Sequence, residues 1–250
     1  TSGNATTGTV SDTTLTVDQT AATISTSSIA SDNATVTLAK TGDTVTLTIA
    51  TNENVSSPTV TFTSGGAAAT NADTVSGASP GTSFTSAYTV DASDTDGTVA
   101  ISVTATDVAG NTTSGFTTIS AGSVTVDQTA PASQKTQGVV TTGGDNQVAG
   151  YWNSGNTGVD ITVPIADDSS INGGTVQLLV STDGGGSFVP LDTPSTISAV
   201  NTNKTISVAG GVLEGVAGFG ESDVLQFKAT ITDTSGNATT GTVSDTTLTV

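Results

Sequence analysis

Residues 43–50 read Asp-Thr-Val-Thr-Leu-Thr-Ile-Ala. Val45, Leu47 and Ile49 fall on every second position, with threonine between them. Successive side chains of a β-strand point to opposite faces, so this octet presents one apolar face and one hydroxyl-bearing face. It reads as a half-buried strand, and its branched side chains suit a pleated surface. The same period appears at Val99, Ile101 and Val103, and at Leu248 and Val250. Clusters of Gly, Asn, Asp and Ser interrupt these runs about every 8–12 residues, as in a β-sandwich. The pattern predicts strands near 21–25, 34–39, 43–50, 58–63, 83–90, 97–106 and 122–126. Further along it predicts 138–142, 159–165, 174–181, 203–208, 223–232 and 241–250. No long amphipathic helix is legible, and 210–220 has room for one short helical turn. The fold class is therefore all-β.

Two repeats organise the chain. Residues 1–17 and 234–250 both read TSGNATTGTVSDTTLTV, a period of 234 − 1 = 233 residues. Identity over that length implies an array longer than this chain. Inside the period, Val17-Asp18-Gln19-Thr20-Ala21 returns as Val126-Asp127-Gln128-Thr129-Ala130. The run from Thr106 to Thr113 aligns with that from Thr232 to Thr239 around a shared Asp-x-x-Gly-Asn. We expect 1–17 to be the last strand of a preceding unit, 18–126 to form one sandwich and 127–250 a second. Each is of ordinary size for one such domain.

The runs TGDTVTLTIATNENVSSPTVTF at 41–62, GTVAISVTATDVAGNTTS at 97–114 and VTVDQTAP at 124–131 resemble bacterial immunoglobulin-like repeats of very large surface proteins and adhesins. ATITDTSGNATTG at 229–241 carries the same signature in the second unit. The resemblance implies tandem immunoglobulin-like domains on a cell surface or in a secreted matrix. It also implies calcium at the domain junctions.

Composition narrows the chemistry. The chain carries 22 acidic and 4 basic residues for a net charge of −18, with no His, Cys or Met. The basic residues are Lys40, Lys135, Lys204 and Lys228; Arg is missing. The commonest general bases, thiol nucleophiles and zinc ligands are thus unavailable, and no enzyme motif is legible. So acidic a chain suits neither nucleic acid nor anionic lipid as a partner. No apolar run approaches the 18 or so residues that a spanning helix needs. All the acids are Asp except Glu53, Glu214 and Glu221. Short carboxylates serve both turns and calcium loops.

In an immunoglobulin-like sandwich the chain enters at the end that carries the B–C and F–G loops. Linker residue Asp18 is therefore expected to meet Glu53, Asp107 and Asn111. In the second unit the counterparts are Asp127, then Asp167 or Asp168, then Asp233 and Asn237. Hard cations such as calcium take six to eight oxygens, which carboxylates crowded without counter-ions would offer. The alternative is that Asp107 and Asp233 only shape turns with the Gly-Asn that follows. Asp91, Asp94 and Asp96 form a second candidate calcium loop of alternating acids, which lacks the terminal Glu of an EF-hand and sits between strands; a plain hairpin turn is the favoured reading. Tyr151-Trp152 holds the only tryptophan and is a candidate sugar-stacking platform, or a core residue.

The expected function is a structural spacer stiffened by calcium at its junctions, with neighbouring repeats as partners. One alternative is a filament or surface layer in which 1–17 pairs with another copy of the chain. A glycan-binding module around Tyr151 and Trp152 is the other.

Overall fold

A computed structural model describes residues 15–71 and 75–250. The expectation that 1–17 forms a strand falls mainly on residues outside this range. Among the described residues the first sandwich contains nine strands: β1 (Ile24–Ser31), β2 (Leu38–Ala39), β3 (Thr44–Val55), β4 (Thr59–Ser64), β5 (Ala67–Ala68), β6 (Gly81–Thr89), β7 (Gly97–Thr106), β8 (Thr112–Phe116) and β9 (Thr125–Val126). One sheet has the order β1-β3-β6, and the facing sheet has the order β2-β9-β7-β4-β5 with β8 on β7. The second sandwich comprises β10 (Gln137–Thr142), β11 (Gly158–Ile165), β12 (Thr175–Ser181), β13 (Val189–Thr196), β14 (Thr202–Ala209), β15 (Val224–Thr232), β16 (Ala238–Thr240) and β17 (Leu248–Thr249). Its sheets run β10-β11-β14 and β13-β12-β15-β16, with β17 on β15. These are two immunoglobulin-like sandwiches in series, and the fold is all-β.

Alternation explains the layers. Val45, Leu47 and Ile49 of β3 are at most 1% exposed, while the threonines between them face outward. Facing them are Ile101, Val103 and Phe62 from the other sheet. The second core gathers Ile161, Val163, Leu178, Val180, Phe227 and Ile231 and shares no residue with the first. Burying a side chain of this kind is worth about 1.5–3 kcal/mol.

Some expected strands differ from the observed ones. The run 34–39 is mostly turn, because Asn33 accepts the Thr35 N–H through its side chain at 2.9 Å and leaves only Leu38–Ala39 extended. The first strand starts at Ile24 and runs on to Ser31, with Ser27 buried beneath the Thr118 carbonyl that its hydroxyl reaches at 2.8 Å. Strand β13 escapes sequence reading because Pro190 and Pro194 interrupt its pattern. Residues 241–250 contribute only Leu248–Thr249 as a strand, and α1 (Gly210–Glu214) supplies the one helical turn in 210–220.

Candidate metal centre

Three separate segments meet at the end of the first sandwich where the chain enters. Strand β3 does not stop at Ala50 but continues through an irregularity in its pairing with β6 between Ala50 and Val55. Such a bulge bends a strand and re-aims its side chains. Here Val55 bridges to Asp107 of the opposite sheet, and Ser56 N–H bonds the Thr106 carbonyl at 2.9 Å. Glu53, expected on a loop, therefore lies on the strand extension beside Asp107. The linker enters along the same edge: Thr23 and Asn52 exchange two hydrogen bonds, at 3.0 and 2.6 Å. Asp18 turns the chain by accepting the Thr20 N–H at 3.0 Å.

As a result Asp18, Glu53 and Asp107 each place a carboxylate oxygen within 4.8 Å of the others. Asp107 is buried, Glu53 half-buried and Asp18 exposed. Asn111 joins them: its Nδ2 donates to the Asp107 carboxylate at 2.9 Å and to the Asp18 carbonyl at 3.3 Å. The Asn111 side-chain bond to Asp107, with the Asn111 backbone N–H at 2.9 Å, holds the Asp107 carboxyl below the usual range. Among the described residues no basic side chain forms an ion pair with the cluster, and the one ion pair joins Lys135 to Asp245, elsewhere. Three carboxylates with oxygens this close offer up to six oxygens to a hard cation.

The second sandwich repeats part of this arrangement. Asn237 Nδ2 donates at 2.9 Å both to Asp233 and to the Asp127 carbonyl, reproducing the Asn111 contacts. Ser235 Oγ donates to Asp127 Oδ2 at 3.1 Å. Burial pushes the Asp127 carboxyl up from its ordinary value, with Asp233 and Asp96 adding repulsion. Asp167 and Asp168 do not join. Asp168 caps the short 3-10 turn Ser169–Ile171, taking the Ser170 N–H at 2.9 Å and hydroxyl at 2.7 Å. Asp167 points to solvent. Strand β11 stops at Ile165, whereas β3 carries on to Val55; the third carboxylate of the first sandwich has no counterpart for that reason.

The other sequence candidates also have definite places. Asp94 takes the Thr70 and Asp91 N–H groups, so its loop is a braced turn. Asp96 receives the Gln128 N–H at 3.0 Å and the Thr129 hydroxyl at 2.7 Å, docking the linker. Trp152 offers no stacking face: it is 5% exposed, packs in the second core, and donates Nε1–H to Glu214 at 3.1 Å. Tyr151 is left alone at the surface, 54% exposed. No described helix is long and apolar enough to cross a membrane.

No family model matches the chain. No curated protein matches it either. Among solved structures, an I-band fragment of titin is 10% identical, with 93% of this chain covered and a TM-score of 0.39. The chain spans 66% of that fragment's length. A tandem of titin immunoglobulin domains is 10% identical, with 91% of this chain and 96% of the other covered and a TM-score of 0.26. The collagen adhesin from S. aureus is 13% identical, with 90% of this chain and 92% of the other covered and a TM-score of 0.17.

Proposed function

We propose that this chain is a spacer segment of a tandemly repeated extracellular surface or matrix protein, and that calcium stiffens the entry to its first sandwich. The observation that carries this reading is the meeting of Asp18, Glu53 and Asp107 from a linker, a strand extension and a loop. A cation bridging the three would tie the linker to both sheets and remove a hinge. Its binding energy would add to the stability of the folded domain, since the unfolded chain has no such site. The composition is consistent with this role: His and Cys, the commonest general base and thiol nucleophile, are missing, and the −18 charge suits a soluble, mutually repelling rod. Neighbouring repeats are its partners. The test is thermal unfolding and small-angle scattering in EGTA and then in millimolar calcium. A higher melting temperature and a longer, stiffer particle in calcium are expected; no change in either would reduce the acids to turn formers.

A further inference from the structure

The contact between the two sandwiches indicates how one repeat meets the next. Loop 233–237 of the second sandwich rests on segment 32–43 of the first. Asn33 Nδ2 donates to the Ser235 carbonyl at 3.0 Å, and the Lys40 stem lies so close to Gly236 that a Cβ there would sit 3.0 Å from it. Both surfaces have a counterpart at the outer ends of the chain. Loop 107–111 has the same backbone closure as 233–237, with the Asp N–H to the Asn carbonyl at 3.0 Å in each. Segment 143–157, between β10 and β11, corresponds to 32–43 between β1 and β3. Tyr151 bridges Thr249 in parallel just as Leu38 pairs with Thr125. At the inner junction the contacts are a hydrogen bond and the Lys40 stem, and Val36 of segment 32–43 stays 56% exposed. At the outer ends the corresponding loops expose Val108 (71%), Val148 (49%) and Tyr151 (54%).

We infer that segment 143–153 is a docking face for loop 107–111 of the next repeat, an apolar junction that alternates along the array with the hydrogen-bonded one inside each chain. The repeat supplies the register. Residues 234–250 are identical to 1–17, so Val250 stands where Val17 does, and Val17 is followed by Asp18-Gln19-Thr20. A second observation agrees. At the inner junction Asp96, in the turn before β7, accepts from linker residues Gln128 and Thr129. In the matching turn before β15, Asp223 has a buried Oδ2 with no hydrogen-bond partner. A following Gln-Thr linker carries the same two donors. Covering exposed apolar groups with one another is favourable, and Val108 at one end with Val148 and Tyr151 at the other are the groups such a contact would cover.

This inference rests on the tandem-repeat reading but not on calcium. The test is a two-period chain in which Val250 is followed by a second 18–250. It carries Tyr151→Cys in the first copy and Val108→Cys in the second. The chain has no native cysteine, so disulfide trapping under mild oxidant reports on this pair alone. The control moves the first cysteine to exposed Val189 on β13. Trapping at least tenfold faster than the control, in both EGTA and calcium, is expected. Rates equal to the control in both buffers would overturn the inference. So would fast trapping in calcium alone, because the cation and not the apolar contact would then hold the junction. Melting of the single chain in calcium reads the metal site separately.

Discussion

Replacing Glu53 by Gln should stabilise the protein in EGTA and destabilise it, relative to the parent, in calcium. Without a cation, the carboxylates of Asp18 and Glu53 lie within 4.8 Å, and among the described residues no basic side chain is paired to them. Two unit charges at that spacing repel by about 0.9 kcal/mol in a water-like dielectric. Salt at 0.1 M cuts this to about 0.5 kcal/mol. Asp107 adds repulsion of the same sign. For a domain of this size the relief corresponds to a rise in melting temperature of about 2–4 °C. With calcium the balance reverses. Extracellular calcium modules bind with constants of about 0.1–1 mM, so about 10 mM calcium reaches roughly 100 times the tighter value. Saturation at that ratio contributes about 2.7 kcal/mol, or about 11–22 °C on the same scale. Glu53→Gln forfeits much of that gain, because an amide oxygen replaces a carboxylate. The substitution leaves the Asp107–Asn111 turn as it is, so parent and variant share the same turn chemistry. The assay is calorimetry of parent and variant in both buffers. A variant whose melting temperature shifts by the same amount and sign in EGTA and calcium would refute the metal centre.

Trp152→Ala should cost about 3–5 kcal/mol as a cavity in the second core, read as a lower urea midpoint. Because Trp152 is the only tryptophan, its fluorescence follows the second sandwich, and calcium should move the circular-dichroism transition of the first sandwich more than this signal. Gly144→Ala should destabilise by about 3 kcal/mol or more, since a Cβ there would lie 1.4 Å from the Gly155 carbonyl oxygen at a φ of +77°. Denaturant unfolding checks it, and a neutral result would refute the close approach. Asp183 is held well below its ordinary value by the Ser181 hydroxyl and by the Ser187 N–H and hydroxyl. A depressed carboxyl stabilises above its unfolded value, and that contribution is lost as pH falls below it. The gap in stability between the parent and Asp183→Asn should therefore be full at neutral pH and shrink below about pH 4. A gap independent of pH would refute this assignment.

Local pattern alone determined much of this protein. Thr-Val-Thr-Leu-Thr-Ile at 44–49 states which face of β3 is buried, because strand periodicity is a property of the backbone. The identity of 1–17 with 234–250 states that the chain is periodic. The absence of His and Cys removes the commonest general base, thiol nucleophile and zinc ligands. Asp18, Asp107 and Asn111 were legible as neighbours because a sandwich brings linker and F–G loop to one end. Other features depended on long-range contacts. Whether β3 ended at Ala50 or bent on to Val55 was decided by its bridge to Asp107, some fifty residues away. That bend placed Glu53 in the cluster, while the capping of Ser170 drew Asp168 out of the second one. Nor could composition distinguish a surface tryptophan from the core residue that Trp152 proves to be. Burial is set by which sheet closes over a side chain, and that is fixed only when the two sheets pack.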